Sequence, residues 1–522
     1  MEKSRRTIVV GAGSAGGIIA SRLSEDPNAE VVLIEAGPWY RSVDELTDDL
    51  RDADNPSLVE HDWGFQGYFV EPPERRAQAL YPRGKVVGGT SAVNASIAQR
   101  AHVEDFDDWV KAGNDRWGWD DVLPFYRRVE NDLDFAAETD VHGSSGPVAI
   151  RRKPREDWAP IIRALEESCL EAGLPPCPDA NAPGTTGVGP VPRNLIGTLR
   201  GSTLLTYLNP AQDRPNLTII DRTLVRRVVF DGFRAVGVVI DGPDGTRILN
   251  ADRIVLSAGA ICTPQILMLS GIGPRQQLER HSIDPLVTRN GVGRHLKDHP
   301  FVPLVATIRD RTESRHGVSL EFRFSSKNGA NDLASYPALM QRSLFSNAFN
   351  VDVDTDAKSV LLAGTMLARS TSEGWIDLIS ADPCMSPEIH MNYLADAGDR
   401  ERMKEGVRFT HSMVTGKRVS QHIEEVLFPR METLNDDAAF TDFILDRVTT
   451  GFHASGTCRM GPADNPEAVV DQDLQVHGVE GLFVADASIM PDITACMMNL
   501  NCYMIGERAA EMLRRNSESE AS

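Results

Sequence analysis

The sequence has no apolar run approaching the roughly 20 residues that a helix needs to cross a bilayer, so no membrane span is expected. It has no surplus of base either. Lys and Arg number 54 against 75 Asp and Glu, giving a formal charge of −21 and a pI near 5.0. Phosphate binding needs clustered cations that outweigh the acids, so this balance argues against nucleic acid as a partner and against an anionic membrane surface. No C-x-x-C pair occurs. The seven cysteines (Cys169, Cys177, Cys262, Cys384, Cys458, Cys496 and Cys502) are odd in number and scattered. That pattern fits neither a disulfide framework, a zinc knuckle nor a redox dithiol, and reads as reduced thiols in a cytoplasmic setting. The first residues run quickly into T-I-V-V-G-A-G-S-A-G-G, too short and too rich in glycine for a signal segment, so export is not expected. Repeats and low-complexity tracts are also missing. What remains is 522 residues with 41% hydrophobic and 25% charged side chains, ordinary for a globular protein. The length exceeds what one core usually supports, so two or three packed regions are expected.

Residues 7–10 are a short β-branched run that ends at glycines, residues 15–23 have helical apolar spacing, and residues 31–34 form a second buried run ending in Glu35. This is a β-α-β unit, the start of a parallel sheet. Residues 36–150 are rich in Gly, Pro, Trp and Asp and read as loops and short helices. Short strands at 217–220, 224–230, 235–240 and 247–249, broken by Asp231-Gly232 and Asp241-Gly242, predict an antiparallel meander. Residues 253–257 return as a buried strand, followed by a helix at 263–269. Mixed signals across 300–445, with a strand at 375–380 and an amphipathic helix at 399–415, predict a second domain. A last buried strand lies at 482–485 and a last helix at 502–513, and the polar tail 516–522 is expected to be disordered.

Gly11-Ala-Gly13-Ser-Ala-Gly16 stands between strand and helix, where glycines permit a tight turn and bring a pyrophosphate against the helix N-terminus. Glu35, 24 residues beyond Gly11, ends the second strand and is placed to accept from an adenosine ribose, which favours FAD or NAD over NADP. A second glycine-rich segment, Gly84-Lys-Val-Val-Gly88-Gly89-Thr90-Ser91-Ala-Val-Asn94, and a third at 259–273 supply further backbone walls, as a larger cofactor requires.

These two segments match the two signature patterns of the glucose-methanol-choline (GMC) oxidoreductase family position by position, and the chain resembles that family from residue 7 to about 513. The resemblance takes in H-A-S-G-T-C-R-M-G at 453–461 and L-F-V-A-D-A-S-I-M-P at 482–491. It is similar to the choline dehydrogenase-like and aryl-alcohol or hydroxymethyl oxidase-like branch. The resemblance implies an α/β fold: an FAD-binding, Rossmann-type (glutathione-reductase-like) domain, with a second α+β substrate domain built on an antiparallel sheet. The expected division is 1–155, 196–300 and 446–515 for the FAD domain, 156–195 and 301–445 for the substrate domain, and 516–522 as tail. It further implies that FAD is held by Gly11, Gly13, Ser14, Ala15, Gly16, Glu35, Ala36, Trp63, Val87, Gly89, Thr90, Asn94, Ala95, Val225, Ala258, Phe452, Asp486, Ala487, Met498 and Asn499.

The resemblance places His453 beside the flavin. Hydride leaves a carbinol carbon readily only as the hydroxyl proton is removed, and a neutral imidazole suits that task near pH 7. His453 is therefore the expected base. The family's usual second His or Asn falls at Met497, and a thioether donates nothing. Either His453 works alone, which is the preferred reading, or Asn499 serves both flavin and substrate. The expected activity is oxidation of a primary, aromatic or natural-product alcohol, with oxygen or another acceptor taking the electrons; oligomeric state stays open. An FAD-containing lyase of the hydroxynitrile-lyase type is the alternative that Met497 leaves. His295-Leu-Lys-Asp-His299 has the spacing of a zinc helix but Leu in place of the Glu base, and is read as a structural turn with no metal.

Overall fold

Apolar, β-branched runs flanking the first glycine turn dictate the first layer. In the computed structural model, which describes residues 5–310, 317–342 and 355–521, strand Arg6–Val10 pairs in parallel with Glu30–Ile34 on one side and Arg253–Leu256 on the other. Leu217–Ile220 and Leu482–Val484 extend the sheet to five parallel strands. A parallel sheet is covered on both faces, so its strands must be apolar throughout; Ile8, Val9, Ile254, Val255 and Leu256 are completely buried. Helix Gly16–Leu23 packs against the last helix, Asn499–Ala521. Arg22 of the first helix donates to the buried Glu507 of the last, at 2.8 Å from Nη2 to Oε1. The two ends of the sequence thus close one layer.

Three expectations differ from the structure. Residues 217–220 do not open the meander. A left-handed backbone at Arg222 (φ +48°) turns the chain after this strand, and its register with Val31 to Ile34 assigns it to the parallel sheet. The antiparallel meander consists of Leu224–Asp231, Arg234–Gly242 and Gly245–Asn250. The helix expected at 502–513 runs from Asn499 to Ala521, because R-R-N-S-E-S-E-A contains no Gly or Pro to stop it. The backbone of 516–521, expected as a disordered tail, continues that helix; Ser522 lies outside the described residues.

The second layer is antiparallel. Six strands run in the order Thr449–Thr450, Pro300–Val302, Thr365–Leu367, Leu333–Ser335, Leu320–Phe324 and Gly187–Pro190. Five more form Gly317–Val318, Ala338–Gln341, Ser359–Leu362, Val305–Ile308 and Ile423–Phe428. Helix Ala397–Thr415, N-capped by Asp396 on the Asp399 amide at 3.0 Å, lies on the six-stranded sheet. Between the layers sits a small apolar cluster that includes Ile97, Phe301, Tyr336, Leu362 and Met366, with Met497 against it. No described helix is long and apolar enough to cross a membrane.

Candidate active site

A cavity of about 400 Å³ runs from the first glycine turn to that small cluster. At the turn, Gly11 adopts φ +94°, and a Cβ there would meet the Ser257 carbonyl oxygen at 2.5 Å. No side chain caps helix Gly16–Leu23, and the turn ahead of it turns Gly13, Ser14 and Ala15 to the cavity. Glu35 is buried at the strand end, its Oε2 accepting from the Ala12 amide and its Oε1 from the Gly37 amide, each at 2.9 Å. Burial pushes its carboxyl up to about 7. Opposite, Gly89 approaches Gly13 so closely that a Cβ on Gly89 would meet the Gly13 Cα at 2.6 Å. The two glycine segments, far apart in sequence, form one backbone cradle.

The carboxyl-terminal segment closes over this cradle. Asp486 accepts from the Gly259 amide at 2.8 Å and the Thr263 hydroxyl at 2.6 Å, tying the segment to the start of helix Gly259–Leu269. Asn499 accepts from the Ser14 hydroxyl at 3.4 Å. Its Nδ2 is buried with no hydrogen-bond partner, although Asn499 lines the cavity. Buried donors are nearly always satisfied. An orphaned amide donor, a helix N-terminus with no side-chain cap at the cavity and a cradle that admits no Cβ together fit a dinucleotide carrying a hydrogen-bonding ring.

His453 stands farther along the cavity, after a backbone turn in which Phe452 holds φ +66°. A bulky residue there is strained, and the turn is held by Asp298. Its Oδ1 accepts from the His453 amide at 2.7 Å, while Oδ2 takes hydroxyls from Tyr81, Tyr393 and Thr450. The ring of His453 meets His299, with their Nδ1 atoms 2.8 Å apart. His299 Nε2 lies 3.0 Å from the Thr494 carbonyl oxygen. Burial pushes His299 down to about 4. Burial first, then His299 and Arg83, hold His453 well below the ordinary histidine range, so both rings are neutral at pH 7. The tautomers follow from hydrogen-bond bookkeeping. A carbonyl can only accept, so His299 Nε2 carries the hydrogen and its Nδ1 is bare. His453 must then donate from Nδ1, which leaves its Nε2 as a lone pair for a group in the cavity.

The deep end is apolar. Phe301, Leu362, Met366, Met340, Tyr336 and Met497 line it. The Tyr336 hydroxyl donates to Gln99 Oε1 at 2.9 Å, and the Met497 amide shares that acceptor at 3.3 Å, so these polar groups are turned away from the cavity. Asp54, at the cavity wall, is paired with Arg193 at 2.6 Å.

Of the residues singled out from sequence, His453, Met497, Asn499, Gly11, Gly13, Ser14, Ala15, Glu35, Ala36, Trp63, Gly89, Thr90, Asn94, Ala95, Val225, Ala258, Phe452, Asp486, Ala487 and Met498 all line this cavity. Gly16 and Val87 do not. A Cβ on Gly16 would strike the Gly11 carbonyl oxygen at 2.0 Å, so it serves the turn from behind, and Val87 is fully buried with its amide on the Pro38 carbonyl. Sequence reasoning missed His299 and Asp298. The His295-to-His299 stretch is not a helix: His295 adopts φ +57° and contacts Glu373 and Glu467, whereas His299 faces His453. The available signal was Asp298-His299-Pro300 itself, two adjacent titratable groups ahead of a strand.

Two family patterns described as GMC oxidoreductase match residues 6–301 and 370–506. A GMC-type oxidoreductase from Rhodococcus erythropolis, described as uncharacterized and lying in the thcA 5′ region, is 35% identical, covering 97% of each chain. The oxygen-dependent choline dehydrogenase of Brucella anthropi is 33% identical, covering 97% of this chain and 94% of its own. Among solved structures, pyridoxine 4-oxidase from Mesorbium loti superposes with a TM-score of 0.89 at 29% identity, covering 98% of this chain and 99% of its own.

Proposed function

This chain belongs to the GMC oxidoreductase family, and on that premise we propose that it oxidises an uncharged primary alcohol, aromatic or otherwise apolar, to the carbonyl compound, with His453 as the base. It is an FAD-dependent oxidoreductase. The observation that carries the proposal is the relay of contacts from the Thr494 carbonyl through His299 to Nδ1 of His453, from which the bare Nε2 of His453 follows. Gly11, Gly13, Ser14, Ala15, Glu35 and Ala36 would hold the ADP half of FAD. Gly89, Thr90, Asn94, Ala95, Val225, Ala258, Phe452, Asp486, Ala487, Met498 and Asn499 would surround the remainder. FAD supplies the two-electron acceptor for the hydride.

The protein's own part is to bind, orient and take a proton. The apolar deep end receives the body of the alcohol and excludes water. His453 Nε2 accepts the hydroxyl proton as the carbinol hydrogen departs with its electron pair, so the oxygen's charge never develops fully in an apolar site. Asp298 fixes the backbone turn and His299 fixes the ring, so the base is oriented before the alcohol arrives. Met497 contributes packing only, which leaves His453 as the one polar contact that we assign to the alcohol oxygen. Oxygen is the proposed reoxidant, supported by an oxygen-dependent relative and a structural neighbour named as an oxidase. A lyase of the hydroxynitrile type finds no support among the relatives described. A cytoplasmic setting is proposed on seven cysteines without a disulfide.

Anaerobic mixing of the FAD-loaded protein with benzyl alcohol tests this reading. Bleaching of the flavin with formation of benzaldehyde, and peroxide on admitting air, is the expected result. A flavin that stays oxidised with every member of an alcohol panel would remove the proposal.

A further inference from the structure

We propose that Phe301, seated on Gly364, is the residue that sets how large an alcohol this site accepts. The inference rests on the alcohol-oxidising reading above and goes beyond it by naming the gauge. Strand Pro300–Val302 continues directly from His299. The His299 carbonyl accepts from the Gly451 amide at 2.8 Å, which carries the pairing with Thr449–Thr450 one residue beyond the strand; side chains two apart on an extended segment share a face and stand about 7 Å apart, so Phe301 lies on the same side as the histidine that orients His453. Phe301 pairs with Thr449 on one flank and Met366 on the other, and residues 449–450 lead straight into the turn that carries His453. The strand cannot slide without breaking ladders on both edges. The distance between the base and the phenyl ring is therefore built into the backbone.

The ring's seat is an absent side chain. A Cβ on Gly364 would meet Phe301 Cζ at 2.2 Å, Cε2 at 2.6 Å and Cε1 at 2.8 Å, so the tip of the ring rests against the Gly364 backbone. Gly364 is not among the glycines with positive φ. Its backbone does not require glycine, and the missing Cβ serves only to let the ring lie back from the cavity. Leu362, Met366, Tyr336 and Met497 surround the same end. Among the described residues, the carboxylates that line the cavity are committed elsewhere: Glu35 to the glycine turn, Asp486 to helix Gly259–Leu269 and Asp54 to Arg193. The body of the substrate thus meets carbon and sulfur, and its size is limited by where the phenyl ring stops.

The test uses Gly364→Ala, Phe301→Ala and the double variant as FAD-loaded full-length chains. Two readouts are taken: alcohol dependence of anaerobic flavin reduction for ethanol, benzyl alcohol and 2-naphthalenemethanol, and binding of 2-naphthaldehyde measured without turnover from the change in flavin absorbance. Overpacking in Gly364→Ala should push the ring into the cavity and weaken both naphthyl ligands by about tenfold or more, with ethanol unchanged. Phe301→Ala should weaken benzyl alcohol but not the naphthyl ligands. In the double variant the added methyl meets no ring, so naphthyl binding should return to that of Phe301→Ala. Gly364→Ala with the parent's size preference would overturn the proposal, as would choline bound more tightly than benzyl alcohol by the parent. If Gly364→Ala fails to fold, Phe301→Ala decides alone: a parent-like size preference there overturns the gauge. If no alcohol reduces the parent's flavin, the functional reading fails, while the naphthaldehyde titration still decides the gauge.

Discussion

Replacing His299 by alanine isolates the relay that leaves Nε2 of His453 bare. In the parent, His453 donates from Nδ1 to His299 across 2.8 Å, and His299 donates onward to the Thr494 carbonyl across 3.0 Å. A net intramolecular hydrogen bond contributes about 0.5–1.5 kcal/mol, so its loss shifts the tautomer balance of His453 by about 2- to 12-fold. The ring also loses the wall that orients it, and misplacement of a catalytic group can cost about 10²-fold. His299→Ala should therefore slow flavin reduction by about 10- to 100-fold while FAD stays bound. His453→Ala, which removes the base, should cost about 10²–10⁴-fold. His299→Gln keeps an acceptor for His453 and a donor for Thr494, and should recover most of the rate. Rapid-mixing absorbance under anaerobic conditions, run from pH 5 to 9, is the assay. Because His299 helps to depress the His453 pKa, the acid limb of the alanine variant should move to higher pH. A rate and pH profile equal to the parent's in His299→Ala, or a glutamine variant no better than alanine, would refute the relay.

Burial keeps His299 near 4 and His453 well below 6.5, so the parent's flavin reduction should hold its rate below pH 6.5; a half-maximal point near neutrality would contradict these environments. Unfolded histidines titrate near 6.5, so between that value and about 4 these two rings bind more protons in the unfolded chain than in the folded one. The parent's Tm should therefore fall relative to that of His299→Gln as pH drops through this window, and a constant difference between the two would count against a buried neutral His299. Glu35→Ala should weaken FAD retention by about 1.5–3 kcal/mol through loss of a charge-assisted acceptor; full FAD occupancy at low free FAD would dismiss the ribose assignment. With its carboxyl up to about 7, Glu35 should also make parental FAD affinity decline below that pH. Met497→Asn should place a donor beside the alcohol oxygen, where one preorganised hydrogen bond contributes up to about 2.7–4 kcal/mol, speeding small polar alcohols and slowing bulky ones; equal rates for both classes would show that Met497 does not face the substrate.

What was legible in the sequence was local. The β-α-β unit and its turn announce themselves because Gly11, Gly13 and Gly16 and the apolar runs lie within 30 residues of one another, and alternation at 224–250 marks the meander. Residues 217–220 escaped because L-T-I-I carries the same pattern in a parallel edge as in a meander; only its register with Val31 distinguishes them. His453 was reached through its surrounding motif. His299 was not, because i, i+4 spacing tests for a helix, and here the segment is a left-handed turn leading into a strand. The deep end was illegible for a different reason: Ile97, Phe301, Tyr336, Met366 and Met497 come from five distant segments, and while sheet pairing between 300 and 450 gathers the middle three, Ile97 and Met497 join them only through tertiary packing.

The central claim is that the carbinol hydrogen leaves as hydride while His453 takes the hydroxyl proton. Its most direct test compares anaerobic flavin reduction by benzyl alcohol with reduction by the α,α-dideuterated alcohol, in the parent and in His453→Ala. The account predicts slower reduction by the deuterated alcohol in the parent, and a FAD-bound alanine variant in which reduction is slowed by about 10²-fold or more. Reduction in His453→Ala within about threefold of the parent, against the expected 10²–10⁴-fold loss, or a parent flavin untouched by either alcohol, would contradict it.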